Sequence, residues 1–445
     1  MRVLLVAPPY AGHLNPLLAV ARHLSSRGAA CGLVTGPAKL PACRDLGFDA
    51  FPVLADDPDA MERIANTRQR VSGHPVRAYR QVRANLRLLP RALPDVQAGA
   101  DRFRPDVIVA DFCAPVAGVV ARRQGVPWVT TVPTPFAIEN RRGTPAYCGG
   151  WTPRDGVVGA ARDATGRRLT RGLKHLTGRL FRTELRPFGG SLYRSDGSEV
   201  FYSDQAIVAF GLAELEFDRD WPQGLRFVGP ITASPGSSIE PPSLIEPAPM
   251  IERVEIHSRP GSDTLDQRPR LDRHTRVLVT VGTHLSWTKE FLVEQVATLA
   301  GRLPGFAFTV CLGDSAGGSV RVRVADRVEV VPWLPYDSAL RAFDVVLHHG
   351  GAGITYSTLR AGLPSVVWPQ DYDQFDFAAR IAHRRLGLRI RRLDDAVAAL
   401  PGALTLPRAP LDRFAGLVRA STPLAAVDQV LDALVGRSGG PPRSR

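Results

Sequence analysis

Short apolar runs alternate with amphipathic stretches along the whole 445-residue chain. The runs fall at 2–7, 31–35, 107–110, 126–132, 205–210 and 225–228 in the first half. In the second half they fall at 276–281, 306–311, 328–331, 344–347 and 365–369. They are rich in Val, Ile, Leu and Phe and largely lack polar alternation, the pattern of strands buried on both faces of a parallel sheet. Between them lie helical periodicities. Leu14, Leu17, Leu18, Ala21 and Leu24 recur on one face and stop at Gly28, which predicts a helix opened by Asn15 as cap with Pro16 in its first turn. Residues 57–101 read as Arg-rich and mostly helical, and 423–435 as a final amphipathic helix. Leu169, Leu173, Leu176 and Leu180 share a helical face, with Arg167, Arg168, Arg171, Lys174, Arg179 and Arg182 around them. That spacing predicts a half-buried helix with a solvated basic face. The alternative for 162–186 is peripheral contact with an anionic membrane.

The pattern breaks once. Residues 231–275 are rich in Pro, Ser and charge, and Pro235, Pro241, Pro242, Pro247, Pro249, Pro260 and Pro269 interrupt any helix. Strand–helix alternation on both sides of this break predicts two α/β domains, consistent with a chain too long for one ordinary core. The expected division is 1–229, a linker with an insertion at 230–275, 276–422, a closing helix at 423–436 and a disordered tail at 437–445. The formal charge is +13, yet the only lysines are Lys39, Lys174 and Lys289. This arginine bias fits a GC-rich coding sequence, and a basic chain also favours anionic ligands or lipid surfaces. The five cysteines, Cys31, Cys43, Cys113, Cys148 and Cys311, show no spacing of a metal site or a disulfide framework. They fit a reducing cytoplasm. No apolar run is long enough to span a bilayer, and residues 2–7 read as a first strand rather than a signal peptide.

Candidate chemistry concentrates in 344–374. A strand at 344–347 leads into His348, His349, Gly350, Gly351, Ala352 and Gly353, then a helix over 354–361 stopped by Gly362 ahead of Pro364. A glycine turn that opens a helix between two parallel strands offers free N–H groups and a positive dipole end to a phosphate. Gln370, Asp371, Asp373 and Gln374 follow the next strand at its carboxyl end, where open α/β sheets bind ligands. Phosphate contacts followed by hydroxyl contacts suit a sugar nucleotide. In the first half, His13 stands where the loop after the first strand meets its helix. Asp111 stands at the carboxyl end of the strand at 107–110. The two share a sheet edge and so can form a base with its orienting carboxylate; equally, His13 can bond its loop and Asp111 can cap a helix beginning near Ala114. Asp106, at the opposite edge, is a poor partner. His23, His74, His175, His257, His274 and His383 read as surface residues. The first βαβ unit lacks the G-x-G-x-x-G fingerprint, which argues against a nicotinamide enzyme.

The run from His348 to Gly353 with Gln370 to Gln374 downstream, Trp333 ahead of Pro335, and the element Gly12–His13–Leu14–Asn15–Pro16 resembles the UDP-glycosyltransferase superfamily, in particular its bacterial natural-product (macrolide-type) branch. The resemblance spans nearly the whole chain and is thinnest in 57–200 and 231–275. It implies a GT-B fold, two Rossmann-like domains facing across a cleft, with the acceptor on the first and the donor on the second. By it, His13 and Asp111 are catalytic. Gly282 and Thr283 face the diphosphate, Trp333 stacks near the base, and His349 reaches the diphosphate. Gly350, Gly351, Ala352, Gly353 and Ile354 form the donor turn, and Asp373 with Gln374 holds sugar hydroxyls. Two positions depart from the pattern. Ile354 stands where the branch has Thr or Ser, with Thr355 next to it, and Tyr336 stands where many members have Gln.

The implied activity is inverting, metal-independent transfer of a hexose from a UDP- or dTDP-sugar to a hydroxyl of a lipophilic small molecule. No cofactor beyond the nucleotide sugar and no nucleic acid is implied. A cytoplasmic monomer or homodimer is expected. The alternatives are a sugar-nucleotide epimerase of the same fold and a non-catalytic partner of an active glycosyltransferase.

Overall fold

The computed structural model describes residues 1–232, 274–314 and 321–437. Most of the expected linker, and the tail from 438 onward, lie outside the described residues. Two seven-stranded sheets organise the chain. The first contains β1 (Arg2–Val6), β2 (Ala30–Thr35), β3 (Asp49–Pro52), β4 (Val107–Asp111), β5 (Trp128–Val132), β6 (Ala206–Ala209) and β7 (Leu225–Phe227). Its order is β3-β2-β1-β4-β5-β6-β7, parallel throughout. The second contains β8 (Thr275–Thr280), β9 (Phe306–Cys311), β10 (Val322–Ala325), β11 (Val328–Val331), β12 (Val345–His348), β13 (Ser365–Val367) and β14 (Gly387–Arg389). Its order is β10-β11-β9-β8-β12-β13-β14, with only the β10–β11 pair antiparallel.

β4, β5 and β12 are buried at every position, as their apolar runs required. In each sheet the chain order reverses beside the first strand, between β1 and β4 and again between β8 and β12. Loops leaving the carboxyl ends of such a pair go to opposite faces and open a crevice between them. The fold therefore builds one crevice per domain.

Helix α1 (Ala11–Ser26) starts earlier than its capping pattern implied. Tyr10 is the extended cap residue, His13 lies in the first turn, and Asn15 is inside the helix with no hydrogen-bond partner for its Oδ1. Leu14, Leu17, Leu18, Ala21 and Leu24 are buried as their spacing required. α2 (Pro75–Phe103) and α3 (Val116–Gln124) pack on the first sheet.

α4 (Gly156–Leu180) overturns the expectation of a half-buried leucine face: Leu169, Leu173, Leu176 and Leu180 are 72, 62, 51 and 61% exposed. Its buried face consists of Gly159, Asp163, Gly166 and Gly178. A Cβ on Gly166 would lie 2.8 Å from Pro145 and 2.9 Å from Trp151, so the helix is held by close approach along its smallest residues. The leucines are left outside.

In the second domain, α5 (Ala352–Ala361) follows β12 and α6 (Gln374–His383) follows β13. The last helix, α7 (Pro423–Arg437), lies on α1 of the first domain. Val427, Val430 and Leu431 join the cluster of Leu14, Leu17 and Val20. Asp428 accepts from His23 at 2.7 Å and pairs with Arg27 at 3.1 Å, so His23 is half-buried and partnered rather than a plain surface residue.

A second join is charged. Arg380 of α6 is 2% exposed and reaches Glu216 of the first domain, its Nε and Nη2 both 2.8 Å from Oε2. Its guanidinium stacks 4.1 Å from the Phe136 ring and 4.5 Å from Phe217, and its Nη1 donates to the Asp376 carbonyl at 3.1 Å. Phe136, Leu212 and Leu215 pack around it with Tyr356, Leu359 and Phe377 of the other domain. Asp376, its carboxylate 3.8 Å from Arg380 Nη1, is a second, longer partner, and removing one member of the Glu216–Arg380 pair breaks its close contacts at about 3–5 kcal/mol. Glu216→Ala and Arg380→Ala are each expected to lower stability by about that amount in urea unfolding. A loss below about 1 kcal/mol, the surface-pair range, would show that the join does not depend on this pair.

Candidate active site

At the first crevice, β1 leads through Tyr10 into α1, and β4 ends at Asp111. The register pairs Val6 with Ala110, so the two carboxyl ends are adjacent. His13 Nδ1 lies 3.0 Å from Asp111 Oδ1. The same oxygen accepts the Cys113 N–H at 2.8 Å, which fixes the carboxylate. Asp111 is 2% exposed and His13 23%. With Nδ1 facing the carboxylate, Nε2 is the nitrogen that can take a proton. Burial by itself would depress the imidazole. The charge of Asp111, with Cys113 behind it, more than offsets that and holds His13 well above its ordinary range. Tyr10 stands edge-on to His13 with ring centroids 5.8 Å apart, and Phe112 lies 5.6 Å away, so the base sits in aromatic surroundings. Among the described residues, His13, Asp111 and Cys113 are the one group whose possible metal-ligand atoms all lie within 4.8 Å of one another.

At the second crevice, the loop after β8 carries Gly282 and Thr283, and the loop after β12 carries His349 to Gly351. The His349 ring lies between the two glycines. A Cβ on Gly282, which has φ of 79°, would sit 2.7 Å from His349 Cε1, and one on Gly351 would come closer still to Nε2. These glycines make room for the imidazole, and the Gly282 N–H is spent on Thr280 Oγ1 at 3.3 Å. His348 has a different job. It is fully buried, its Nδ1 accepts the Gly350 N–H at 3.1 Å, and Gly350 turns the chain at φ 93°.

Burial pushes His349 down to about 4. At neutral pH in the unliganded protein it is a neutral hydrogen-bonding ring, not the positive charge expected beside a diphosphate. The fixed cation close by is Lys289, whose Nζ donates to the Thr283 carbonyl at 2.9 Å and whose charge reaches His349. Ile354 is 4% exposed within the cluster of Leu278, Cys311, Val331, Leu334 and Leu340. Its side chain belongs to the core and not to the donor turn. Thr355 does not replace the missing hydroxyl, being wholly buried with its Oγ1 unpartnered. What α5 offers a ligand is its backbone amino end, at Gly351, Ala352 and the exposed Gly353. Trp333 is half-buried at the carboxyl end of β11, and the Tyr336 hydroxyl lies 3.1 Å from Thr280 Oγ1.

The polar segment after β13 divides its work. Gln374 Oε1 accepts the N–H groups of Gln370 and Asp371 at 2.8 and 3.0 Å. Its carbonyl thus braces the loop and is not available to a sugar. Asp371 accepts from the N–H groups of Val71 and Ser72 at 2.6 and 2.8 Å and from the Ser72 hydroxyl, tying the loop to the first domain. Gln81 Nε2 donates to the Tyr372 hydroxyl at 2.6 Å, with Tyr372 held at φ 54°. Asp373 remains half-buried and raised by burial to about 6, close enough to His13 to feel its charge.

The structure thus brings His13, Asp111, Asp373, the Gly282–Thr283 loop and the His349 turn around one cleft, and leaves Ile354 and the Gln374 carbonyl out of it. It also adds His284. This ring stands edge-on to Tyr10 at 5.3 Å, its Nε2 lies 3.7 Å from Glu62 Oε2, and burial lowers it to about 4. Sequence reasoning missed His284 because its neighbours are more than two hundred residues away in the chain. Lys289 did carry a signal, as one of three lysines in an arginine-rich chain.

Residues 309–407 match the erythromycin biosynthesis protein CIII-like C-terminal domain. Over 91% of its length the chain is 27% identical to elloramycin glycosyltransferase ElmGT of Streptomyces olivaceus, covering 88% of that protein. Among solved structures it is similar to the glycosyltransferase of kitacinnamycin, at TM-score 0.69 and 20% identity, covering 97% of this chain and 99% of that one. It is also similar to the spinosyn rhamnosyltransferase SpnG complexed with thymidine diphosphate, at TM-score 0.60 and 19% identity, covering 97% and 100%; SpnG is also known complexed with spinosyn aglycone.

Two outcomes follow from this geometry. Because Asp111 holds the His13 imidazole high, its neutral form is lost as pH falls through a value above the ordinary 6.5. The acid limb of the turnover profile should therefore lie above 6.5, and Asp111→Asn should move it to lower pH while slowing turnover. An acid limb unmoved by that change would disconnect Asp111 from the base. Ile354→Thr places a hydroxyl in an apolar cluster, at about 1–3 kcal/mol. Thermal unfolding should show the loss, and calorimetry with UDP or dTDP should show unchanged affinity. Tighter nucleotide binding would return this side chain to the donor turn.

Proposed function

We propose that this chain, a GT-B glycosyltransferase of the bacterial natural-product branch, moves a hexose from a UDP- or dTDP-sugar to a hydroxyl of a lipophilic secondary metabolite, with inversion and without a metal. The observation that carries the reading is the His13–Asp111 pair at one crevice facing the glycine-lined His349 turn at the other. The aromatic rings beside His13 favour an apolar acceptor. The thymidine diphosphate bound by SpnG supports a dTDP-sugar as one donor candidate.

In this reading the acceptor hydroxyl gives its proton to His13 Nε2 as its oxygen attacks the anomeric carbon from the side opposite the diphosphate. Asp111 stabilises the imidazolium that forms. Asp373, ionised above about 6, accepts hydrogen bonds from the sugar hydroxyls. The departing diphosphate is received by the amino end of α5 at Gly351 to Gly353 and the neutral His349 as donor, with Lys289 nearby. A bound diphosphate would also draw a proton onto His349. These groups supply the countercharge that a divalent ion supplies elsewhere.

His13→Ala should reduce turnover by roughly 10²–10⁴-fold, the usual worth of a general base, with the Kd for dTDP or UDP unchanged because that site lies on the other domain. Turnover that survives this change with an unactivated hydroxyl acceptor would remove His13 from the mechanism. EDTA should leave the rate intact; a rate abolished by EDTA and restored by Mg²⁺ or Mn²⁺ would overturn the metal-free reading.

A further inference from the structure

α4 projects an amphipathic surface that nothing among the described residues covers. On a helix with 3.6 residues per turn, Leu169, Leu173, Leu176 and Leu180 fall within a narrow stripe. Val158, 77% exposed, extends it toward the amino end. Arg168, Arg179 and Arg182 flank it on the side away from the packed glycines, and Arg186 lies just beyond the helix. Among the described residues none of these four arginines makes an ion pair.

The patch continues onto α2. Tyr79 meets Phe181 with ring centroids 6.0 Å apart, and Val76, Tyr79 and Val82 are 62, 48 and 41% exposed beside the exposed Arg80 and Arg83. The acidic group nearby, Glu184, lies 3.9 Å from Arg87.

We propose that this face docks on an anionic phospholipid surface, with the leucines entering the acyl boundary and the flanking arginines receiving headgroup phosphates. The charge selects this occupant. A second copy related by a two-fold axis would place this surface against itself and oppose arginine to arginine. A bilayer with acidic headgroups neutralises the arginines while it covers the leucines. No described helix is long and apolar enough to cross a membrane, so the contact lies in the interface plane. The proposal stands apart from the sugar-transfer reading, because α4 meets the protein through its glycine face and the leucines touch none of the residues placed in the cleft.

The test is co-sedimentation of the full chain with phosphatidylcholine vesicles, with or without about one-third phosphatidylglycerol. Binding is expected only with phosphatidylglycerol, and it should be lost in about 1 M salt, where screening leaves a range of roughly 3 Å. Replacing Arg179 or Arg182 by Ala should weaken it roughly fivefold each, and Leu173→Glu with Leu176→Glu should abolish it. These side chains are exposed, so the melting temperature of every variant should match the parent, which separates lost docking from lost folding. Absence of binding, equal binding to neutral vesicles, or binding that survives the double glutamate change would overturn the proposal. So would a dimer in light scattering that the same double change disperses, since the face would then belong to a second copy.

Discussion

Two separate sheets can share one site only if their carboxyl edges are held face to face, and the buried guanidinium of Arg380 does much of that holding. A charge with 2% exposure is tolerable only with its partner in place. Its partner, Glu216, is on the other domain, as are the Phe136 and Phe217 rings that enclose it. Any substantial opening between the domains at this point would hydrate one ion and strand the other. The Asp371 contacts with Val71 and Ser72 and the α7 helix on α1 add two more ties at separate places. Further contacts join the domains elsewhere, with the Tyr147 N–H on Asp376 at 3.1 Å and Arg389 on the Gly150 and Gly149 carbonyls at 3.1 and 2.9 Å.

With the edges fixed, topology supplies the chemistry. Each sheet reverses its strand order once near its centre, and each reversal opens a crevice at the carboxyl ends. The first crevice holds a histidine and a carboxylate, the second a glycine turn and a helix amino end. Neither half is sufficient: a base without a held leaving group and a diphosphate cradle without a base each perform half of a transfer. Tyr10, His284 and Glu62 touch where the crevices meet. The Gly282–Thr283 loop therefore senses both halves.

How much of this was legible in the sequence follows from what decides each feature. Strands buried on both faces announce themselves as apolar runs, so every central strand was readable. β3, β10 and β14 are sheet edges, short or polar on one side, and left no such mark. Periodicity shows that α4 is amphipathic but not which face turns inward. Here close approach through Gly159 and Gly166 decided against the leucines. Motif position picked out the glycine turn of His348 to Gly353, yet could not tell that Ile354 points into the core or that Gln374 is spent on its own loop. Those are questions of side-chain direction, which only the packed neighbours answer. His284 gains its meaning from Tyr10 and Glu62, which the chain brings near only on folding.

The two histidines of the cleft show why both halves had to be built separately. Both lose solvation. At His349 a backbone hydrogen bond to Thr280 repays only part of that loss, and the ring falls to about 4. At His13 the Asp111 carboxylate repays it with a surplus, and the ring rises. Environments that push like groups in opposite directions assign them opposite roles. A high-lying imidazole is the stronger base, which favours taking the acceptor proton, but a smaller fraction of it is neutral at a given pH. A low-lying imidazole stays neutral and donates a hydrogen bond without repelling the sugar nucleotide's surroundings, then gains a proton once phosphate oxygens approach. In the proposed reaction one ring must be empty-handed before attack and the other must accumulate positive charge as the diphosphate leaves. Asp111 at His13, and the charge of Lys289 rather than of a carboxylate among the described neighbours of His349, separate these two behaviours in side chains that are chemically identical.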